Sequence, residues 1–261
     1  MSEVASVAKL HHVIEGQGPW VTLVHSLSAD HTLLAAQASA LAPDFRVLSL
    51  DIRGHGQSEV KPSPYSMAAL ADDVAALLGN LGIASTHWVG ISLGGMIGLT
   101  LALAHPRLVR SLVLADTTAG YPPEAHAAWR ERIGVVRAKG MEAVREGTLN
   151  RWLTAPFRAR EPATAERLGG LIAATPAEGF IGCCEAIIGY DVSARLGEIA
   201  CPTLVMVGEQ DEATPPAMAE KLALGIRGAA LKRIPDAAHQ SSTEQPALFN
   251  AAIEEFLAHA G

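Results

Sequence analysis

The sequence predicts an α/β fold with a mostly parallel central sheet, helices on both faces of the sheet and one helical insertion. Three observations lead to this prediction. Short β-branched runs alternate with amphipathic helical stretches up to Asp116, as in parallel sheets covered by helices. The alternation stops between residues 120 and 190 and then returns. The 261 residues are 49% hydrophobic and 18% charged, which is enough apolar material for one large domain with a buried sheet.

Four β-rich runs in the first half of the chain predict central strands. They cover residues 20–25, 45–51, 86–91 and 109–115. Helical periodicity in the connections predicts crossover helices, which we place at 31–42, 67–81 and 93–104. Ser66 directly precedes the second of these helices as a candidate N-cap. The first three strands therefore each lead into a helix, as a parallel sheet requires.

The segment from residue 120 to residue 190 has no strand-like run. Its helical stretches are rich in Arg, Ala and Glu and are interrupted by prolines. We therefore expect a helical cap over 120–190, inserted into a core domain made of 1–119 and 191–261. The strand pattern returns at 203–208 and 229–234, and the chain then ends in a helix with one apolar face.

Charge and hydropathy exclude several classes of partner. Lys and Arg contribute 20 positive charges against 27 negative charges from Asp and Glu, a formal net charge of −7, and no basic run of five residues occurs. We therefore expect no nucleic-acid partner. The first ten residues lack the apolar core of a signal peptide, and apolar stretches such as 97–104 are too short to cross a bilayer. A cytoplasmic protein without a membrane partner is expected.

Cysteine and histidine spacing predicts neither a disulfide framework nor a metal site. Cys183 and Cys184 are adjacent and Cys201 stands apart, so we expect reduced thiols in or near the core. No histidine pairs with Cys, Asp or Glu at a spacing typical of zinc ligands. Surface or packing roles are expected for His11, His12, His31, His55, His87, His105 and His126.

The segment Gly90–Gly95 carries a candidate nucleophile, Ser92. It lies between a strand that ends at Ile91 and a helix that begins at Leu93, which is the setting of the G-x-S-x-G turn. Glycines flank the serine because side chains there would collide with neighbouring backbone. The helix N-terminus supplies a positive dipole end where an oxyanion would form. Such a turn can also serve packing or phosphate binding, but its context favours a nucleophile.

Two later loops supply a candidate acid and base. Asp211 follows one strand and His239 follows the last, which completes the chain order Ser, Asp, His. A serine hydroxyl needs an imidazole to take its proton, and the imidazole needs a carboxylate to orient it. Asp116 also ends a strand and is the alternative acid. Asp51 is expected to tie its own loop to a turn.

The oxyanion hole should combine two backbone N–H groups. One belongs to Leu93, the residue after the nucleophile, and the other belongs to the loop His25–Ser28, where Leu27 is the expected donor. The alternative is that this loop is an ordinary strand-to-helix connection.

Five segments together resemble the α/β-hydrolase superfamily over essentially the whole chain. They are His25–Asp30, Asp51–Ser58, Gly90–Gly95, Gly208–Asp211 and Ala238-His239. The resemblance implies the α/β-hydrolase fold, a Ser92–His239–Asp211 triad and no metal or organic cofactor.

Within that superfamily the chain is most similar to the 3-oxoadipate enol-lactonases of aromatic catabolism. The similarity includes the cap segments 151–154 and 178–187. The chain departs from the usual enol-lactonase pattern at three places. It has His25 instead of Asn, Ser28 instead of Gly, and around the base Ala238-His239-Gln240 instead of Ser-His followed by an aliphatic residue.

The resemblance implies hydrolysis of a small-molecule ester or lactone through an acyl-enzyme on Ser92. In an enol lactone the departing oxygen is an enolate, and its conversion to a ketone discourages ring closure. Three alternatives stay open: a carboxylesterase or perhydrolase, a carbon–carbon bond hydrolase of ring-cleavage products with the same triad, and a non-catalytic ligand receptor.

A pathway enol lactone carries a free carboxylate, which needs a cationic partner if it is buried. We expect most arginines of the segment 120–190 to lie on solvated helix faces. Arg151 is the exception, since it adjoins Trp152 in the enol-lactonase-like segment, and we predict that Arg151 or its immediate neighbourhood binds the carboxylate. Trp129 and Trp152 are candidate pocket walls or core anchors.

Overall fold

The computed structural model describes residues 7–260, and within this range seven strands form one sheet. The strands are β1 (His12–Glu15), β2 (Trp20–Val24), β3 (Arg46–Leu50), β4 (Thr86–Ile91), β5 (Val109–Ala115), β6 (Thr203–Gly208) and β7 (Ala230–Ile234). Their spatial order is β1-β3-β2-β4-β5-β6-β7. β1 pairs antiparallel to β3, and all other neighbours are parallel. The predicted α/β fold class is confirmed.

Eleven α-helices are described in residues 7–260. They are α1 (Ala35–Leu41), α2 (Met67–Asn80), α3 (Leu93–Ala104), α4 (His126–Lys139), α5 (Glu142–Trp152), α6 (Ala155–Arg160), α7 (Pro162–Ala174), α8 (Ala177–Ile188), α9 (Pro216–Gly225), α10 (Ser241–Glu244) and α11 (Pro246–His259). Helices α4 to α8 occupy the segment predicted as the cap, which adds no strand to the sheet. An isolated β-bridge between Gly120 and Asp191 joins the two ends of that segment.

The strands and helices differ from the sequence prediction mainly at the edges of the sheet. β1 was not predicted, because its four largely exposed residues show no alternation of apolar and polar side chains. Helix α9 was missing from the prediction as well. The crossover predicted over 31–42 begins as a 3-10 turn, which Asp30 caps by accepting a hydrogen bond from Thr32 N, and becomes α-helical at Ala35. Ser66 caps α2 as predicted, accepting from Ala69 N.

The sheet buries a hydrophobic cluster on each face. Trp88 and Val89 are consecutive in β4 and belong to opposite clusters, because successive side chains of a strand point to opposite faces. Helices α2 and α3 cover the face of Trp88, and α1 and α11 cover the other. The segment with α4–α8 has a third cluster of its own, which also includes Ala29 and Leu33 from the sheet domain.

Helices α7 and α8 contribute apolar side chains to the third cluster, Leu168 and Phe180 among them. No single helix in residues 7–260 is long and apolar enough to span a bilayer. Among the described helices, α7 and α8 reach the required length and hydropathy only when taken together, and the two are bent by 90° at the break between them.

Candidate active site

The turn between β4 and α3 holds Ser92 in a strained conformation. Its φ and ψ are +53° and −111°, and its backbone is fixed by a hydrogen bond from Ser92 N to Ala115 O at 2.9 Å and by one from Thr117 Oγ1 to Ser92 O at 2.6 Å. A Cβ at Gly90 would overlap the carbonyl of Gly94. The glycines are therefore required for the turn that raises Ser92 above the sheet edge.

Ser92, His239 and Asp211 form a continuous chain of hydrogen-bonded side chains. His239 Nε2 lies 2.9 Å from Ser92 Oγ, and His239 Nδ1 lies 2.8 Å from Asp211 Oδ2. The second contact requires Nδ1 to carry the proton, which leaves Nε2 free to accept the serine proton. Asp211 is held in turn by the N–H groups of Ala213 and Thr214 and by the Thr214 hydroxyl. The serine, histidine and aspartate predicted from chain order are brought together.

Charge interactions at this site adjust the pKa values of the base and the acid. Burial disfavours the charged form of His239, but the charge and hydrogen bond of Asp211 outweigh burial and raise its pKa above 6.5. Burial opposes ionisation of Asp211, yet His239 and the Thr214 hydrogen bonds lower its pKa below 3.8. Asp211 therefore stays ionised, as a carboxylate that stabilises an imidazolium on His239 would have to be.

Asp116, the alternative acid, accepts its hydrogen bonds from groups other than the His239 ring. Its Oδ1 accepts from Gly208 N at 2.8 Å, and its Oδ2 accepts from the Ser241 hydroxyl at 2.6 Å and from Ser241 N at 3.2 Å. Burial, with the nearby charge of Asp211, raises the pKa of Asp116 to about 7. Asp116 thus links β5 and β6 to the start of α10, while the hydrogen bond to the His239 ring belongs to Asp211.

The two predicted oxyanion donors are unpaired. Within residues 7–260, neither Leu27 N nor Leu93 N donates a hydrogen bond. Leu93 is the first residue of α3, where the amides lack intrahelical acceptors. Leu27 lies in the turn Ser26–Ala29, which is closed by a hydrogen bond from Ala29 N to Ser26 O at 3.3 Å, and it lines the same cavity as Ser92. Both amides are free to meet a substrate oxygen.

Two buried histidines hold the Leu27 loop. His25 Nδ1 donates to Ser26 O at 2.7 Å and its Nε2 accepts from Ile52 N at 3.0 Å, while His55 Nε2 accepts from Ser28 N at 3.1 Å. Both rings must be neutral for these bonds, and burial lowers the pKa of each, that of His55 to about 3. His55 is a packing residue, as expected, and its ring also orients the loop.

The three departures from the enol-lactonase pattern lie at this same loop. His25 begins the loop and Ser28 is the third residue of its turn. Gln240 Nε2 donates to Ser26 Oγ at 3.0 Å, so the residue after the base is bonded to the oxyanion loop. Only the fold brings Gln240 to this loop, because more than 200 residues separate it from Ser26 in sequence.

A cavity of about 170 Å³ opens beside Ser92 and His239. This volume suits a small substrate, since sites for drug-sized ligands measure roughly 300–1,000 Å³. The candidate substrate-binding residues Arg151, Trp152 and Trp129 all line it. Other lining residues include Leu27, Ser28, Tyr121, Arg132, Thr148 and Phe180.

Two guanidinium groups in this cavity have no carboxylate partner. Within residues 7–260, neither Arg132 nor Arg151 forms an ion pair; Arg151 Nη2 donates a long hydrogen bond of 3.3 Å to Thr148 Oγ1, and Arg132 packs over the Trp129 ring at 4.8 Å. Burial and the charge of Arg132 lower the pKa of Arg151 to about 10. Arg132 was expected on a solvated helix face but lines the cavity instead. The three-residue spacing from Trp129 could have placed both side chains on one face of α4.

One cluster has the composition of a metal site. His11, His31 and Asp51 each offer a ligand atom, all within 4.8 Å of one another. Sequence spacing did not predict this group because its members are far apart in the chain. Asp51 already accepts from His31 N, His31 Nδ1 and Gln57 N, as expected for a residue that ties its loop. A bound cation would have to displace one of these donors.

Burial is consistent with structural roles for the thiols. Cys183 and Cys184 are buried, Cys201 is half-buried, and none forms a disulfide. Burial raises the pKa of each thiol, so the neutral form is favoured.

Comparisons with known proteins match the chain over most of its length. A family model described as alpha/beta hydrolase fold matches residues 19–246. The chain is 34% identical over 247 residues to 3-oxoadipate enol-lactonase 2 of Acinetobacter baylyi, covering 94% of this chain and 91% of that protein. A protein of Variovorax paradoxus described as a candidate carbamate hydrolase, RutD, is 32% identical over 257 residues, covering 95% and 96%. The crystal structure of the enol-lactonase from Burkholderia xenovorans LB400 superposes with a TM-score of 0.93 at 36% identity, covering 96% of this chain and 97% of that one.

Proposed function

We propose that this chain, which belongs to the alpha/beta hydrolase fold family, opens an anionic enol lactone of the 3-oxoadipate type with Ser92 as nucleophile. That it is a hydrolase acting on ester bonds follows from the family and from its enol-lactonase relatives. The proposal adds the substrate and the role of each residue. The observation that carries it is the pair of unpartnered arginines, Arg132 and Arg151, in the cavity that contains Ser92 and His239.

The reaction begins with attack of Ser92 Oγ on the ring carbonyl. His239 Nε2, 2.9 Å away, takes the serine proton, and Asp211 stabilises the resulting imidazolium. The oxyanion of the tetrahedral intermediate accepts hydrogen bonds from the unpaired amides of Leu27 and Leu93. Collapse of this intermediate breaks the ring C–O bond, and the departing enolate takes the proton from the His239 imidazolium and becomes a ketone, which leaves His239 neutral again. Water then attacks the acyl-enzyme with His239 as base, which releases the acid and restores the serine.

The arginine pair is the proposed binding site for the carboxylate of the substrate. Two positive charges close enough to lower the pKa of Arg151 repel each other, and an anion between them relieves that repulsion. Guanidinium groups bind carboxylates through charge-assisted hydrogen bonds, often in pairs. Arg132 packs over the Trp129 ring, and both side chains line the cavity, so this cation–π contact helps to hold the charge there.

A substrate panel tests the proposal. It contains an enol lactone with a free carboxylate, the neutral methyl ester of the same lactone, p-nitrophenyl acetate, a small carbamate and a ring-cleavage diketone. We expect the highest kcat/KM for the anionic lactone and labelling of Ser92 by a fluorophosphonate probe. A preference for the neutral methyl ester, the carbamate or the diketone contradicts the substrate assignment. Failure of the probe to label Ser92 contradicts the mechanism.

A further inference from the structure

The loop that carries the Leu27 amide turns through Ser28 in a conformation that favours glycine. Ser28 has φ +67° and is the third residue of the turn Ser26–Ala29. Positive φ at this position of a β-turn is normally taken by Gly or Asn. A serine with a Cβ is strained there, and such strain at a ligand-facing loop points to a function of the side chain.

Ser28 lies in the wall of the cavity that contains the candidate reacting groups. The residue is 1% exposed, yet it lines the cavity together with Ser92 and His239. Its amide is already engaged, because Ser28 N donates to His55 Nε2 at 3.1 Å. Its hydroxyl forms no hydrogen bond with any residue in the range 7–260. The hydroxyl is therefore available to a ligand in the cavity, while the amide holds the turn.

We propose that the Ser28 hydroxyl donates a hydrogen bond to the carbonyl oxygen of the bound ester and acts as a third oxyanion donor. Ser28 directly follows Leu27 in the turn, and both residues line the cavity that contains Ser92, so the proposal places the Ser28 hydroxyl beside the oxygen that the Leu27 amide meets. A donor that meets charge only as it develops lowers the barrier rather than the KM. The proposal rests on Ser92 as the nucleophile and is independent of the carboxylate on the substrate.

Two substitutions separate the hydroxyl from the backbone strain. S28A removes the hydroxyl and keeps the strained Cβ, whereas S28G removes both. With p-nitrophenyl acetate, a neutral ester, we expect both variants to lose roughly 10-fold or more in kcat with KM changed less than about twofold, on the scale of one hydrogen bond to a charged group. For a boronic acid that forms a tetrahedral adduct on Ser92, both variants should bind more weakly, with Ki raised by the same factor.

Asp236 provides a matched control for the strain. It also has positive φ, +51°, but it lies in an exposed loop and does not line the cavity. D236G should therefore leave kcat and the boronic acid Ki unchanged, while thermal melts of all three variants verify that they fold. If S28A retains kcat within about twofold of the wild type, the hydroxyl has no catalytic role and the proposal is wrong. Loss of kcat in S28G alone also overturns it, because loop conformation is then the cause.

This experiment is separable from the substrate proposal. Should the wild type prefer neutral lactones over the anionic one, the arginine-based assignment fails, but the loss of kcat in S28A on p-nitrophenyl acetate is still expected. Conversely, full activity of S28A on both substrates removes the third donor and leaves the carboxylate assignment intact.

Discussion

The sheet edge and the helical segment 120–190 meet in one cavity but are organised differently. At the sheet edge, Ser92, His239 and Asp211 are each less than 10% exposed and are joined at 2.8–2.9 Å. In the helical segment, the cavity side chains Arg132 and Arg151 are half-buried, and their one polar contact within residues 7–260 is the 3.3 Å bond to Thr148. The candidate catalytic groups are therefore pre-organised by hydrogen bonds, whereas the two arginines proposed to bind the substrate have no charged partner within residues 7–260.

The two regions are nonetheless linked next to the candidate base. Glu244 accepts hydrogen bonds from the backbone and the hydroxyl of Thr154 with one carboxylate oxygen, and from Ala238 N with the other. Gln240 N donates to Trp152 O at 3.0 Å. The helical segment is therefore anchored to the loop that carries His239, so displacing it would alter both selection and chemistry. The following predictions test how far the two regions can be separated.

The largest effect is expected at the sheet edge, for Ser92→Ala. Loss of a triad nucleophile costs roughly 10⁶-fold in kcat, and the small side chain fits the same turn. Turnover of the anionic lactone measures the loss, and a thermal melt checks the fold. Ser242→Ala is the control, because its buried hydroxyl has no partner within residues 7–260 and does not line the cavity. Residual activity of S92A above about a thousandth of wild type would contradict the nucleophile assignment.

A smaller but still large effect is expected for Asp211→Asn. The amide reverses the tautomer preference of His239, which in a comparable triad costs about 10⁴-fold in kcat. Asp116→Asn should instead keep most of kcat and lower the melting temperature, since its bonds to Gly208 and Ser241 are structural. Measuring both quantities for both variants separates the roles. The reverse ranking in kcat would assign the acid to Asp116.

In the helical segment we expect losses in binding rather than in turnover. Arg151→Ala and Arg132→Ala should each raise KM for the anionic lactone by roughly 10-fold, on the scale of a charge-assisted hydrogen bond. KM for its neutral methyl ester should change little. Arg130→Ala, on the exposed face of the same helix as Arg132, is the control. Equal losses on both substrates would mean that the arginines only support the helices.

The smallest expected effect is a shift in pH dependence. His239 must be neutral to accept the serine proton, and its raised pKa means that activity falls as the pH drops through a value above 6.5. In Asp211→Asn the negative charge that raises the pKa of His239 is lost, while burial still lowers that pKa. The acidic limb of the kcat/KM profile should therefore move to lower pH. A neutral ester is the substrate for this profile, because its own charge does not change. If the acidic limb of the profile stays at the same pH, a group other than His239 controls it.

The parts of the molecule with strong local patterns were predictable from sequence. The strand, glycine turn and helix around Ser92 are formed by consecutive residues, so their pattern is visible in the sequence. The predicted bounds of β4, α3, β5 and β6 agree with the observed ones. The short edge strand β1 lacked such a pattern. The order of Ser92, Asp211 and His239 identified the candidate triad because this fold places functional groups at the carboxyl ends of its strands.

Selection among chemically similar side chains depended on tertiary structure. The sequence prediction did not separate Arg132 from the solvated arginines around it, since spacing alone does not show which helix face lines a cavity. Asp116 likewise stayed a possible acid until its bonds to Gly208 and Ser241 were seen. The bond between Ser92 and His239 crosses 147 residues, and the bond from Gln240 to Ser26 crosses 214. Local periodicity determines which elements form, because it depends on neighbouring residues; which side chains share a cavity is decided by how those elements pack, because packing brings together residues that are remote in sequence.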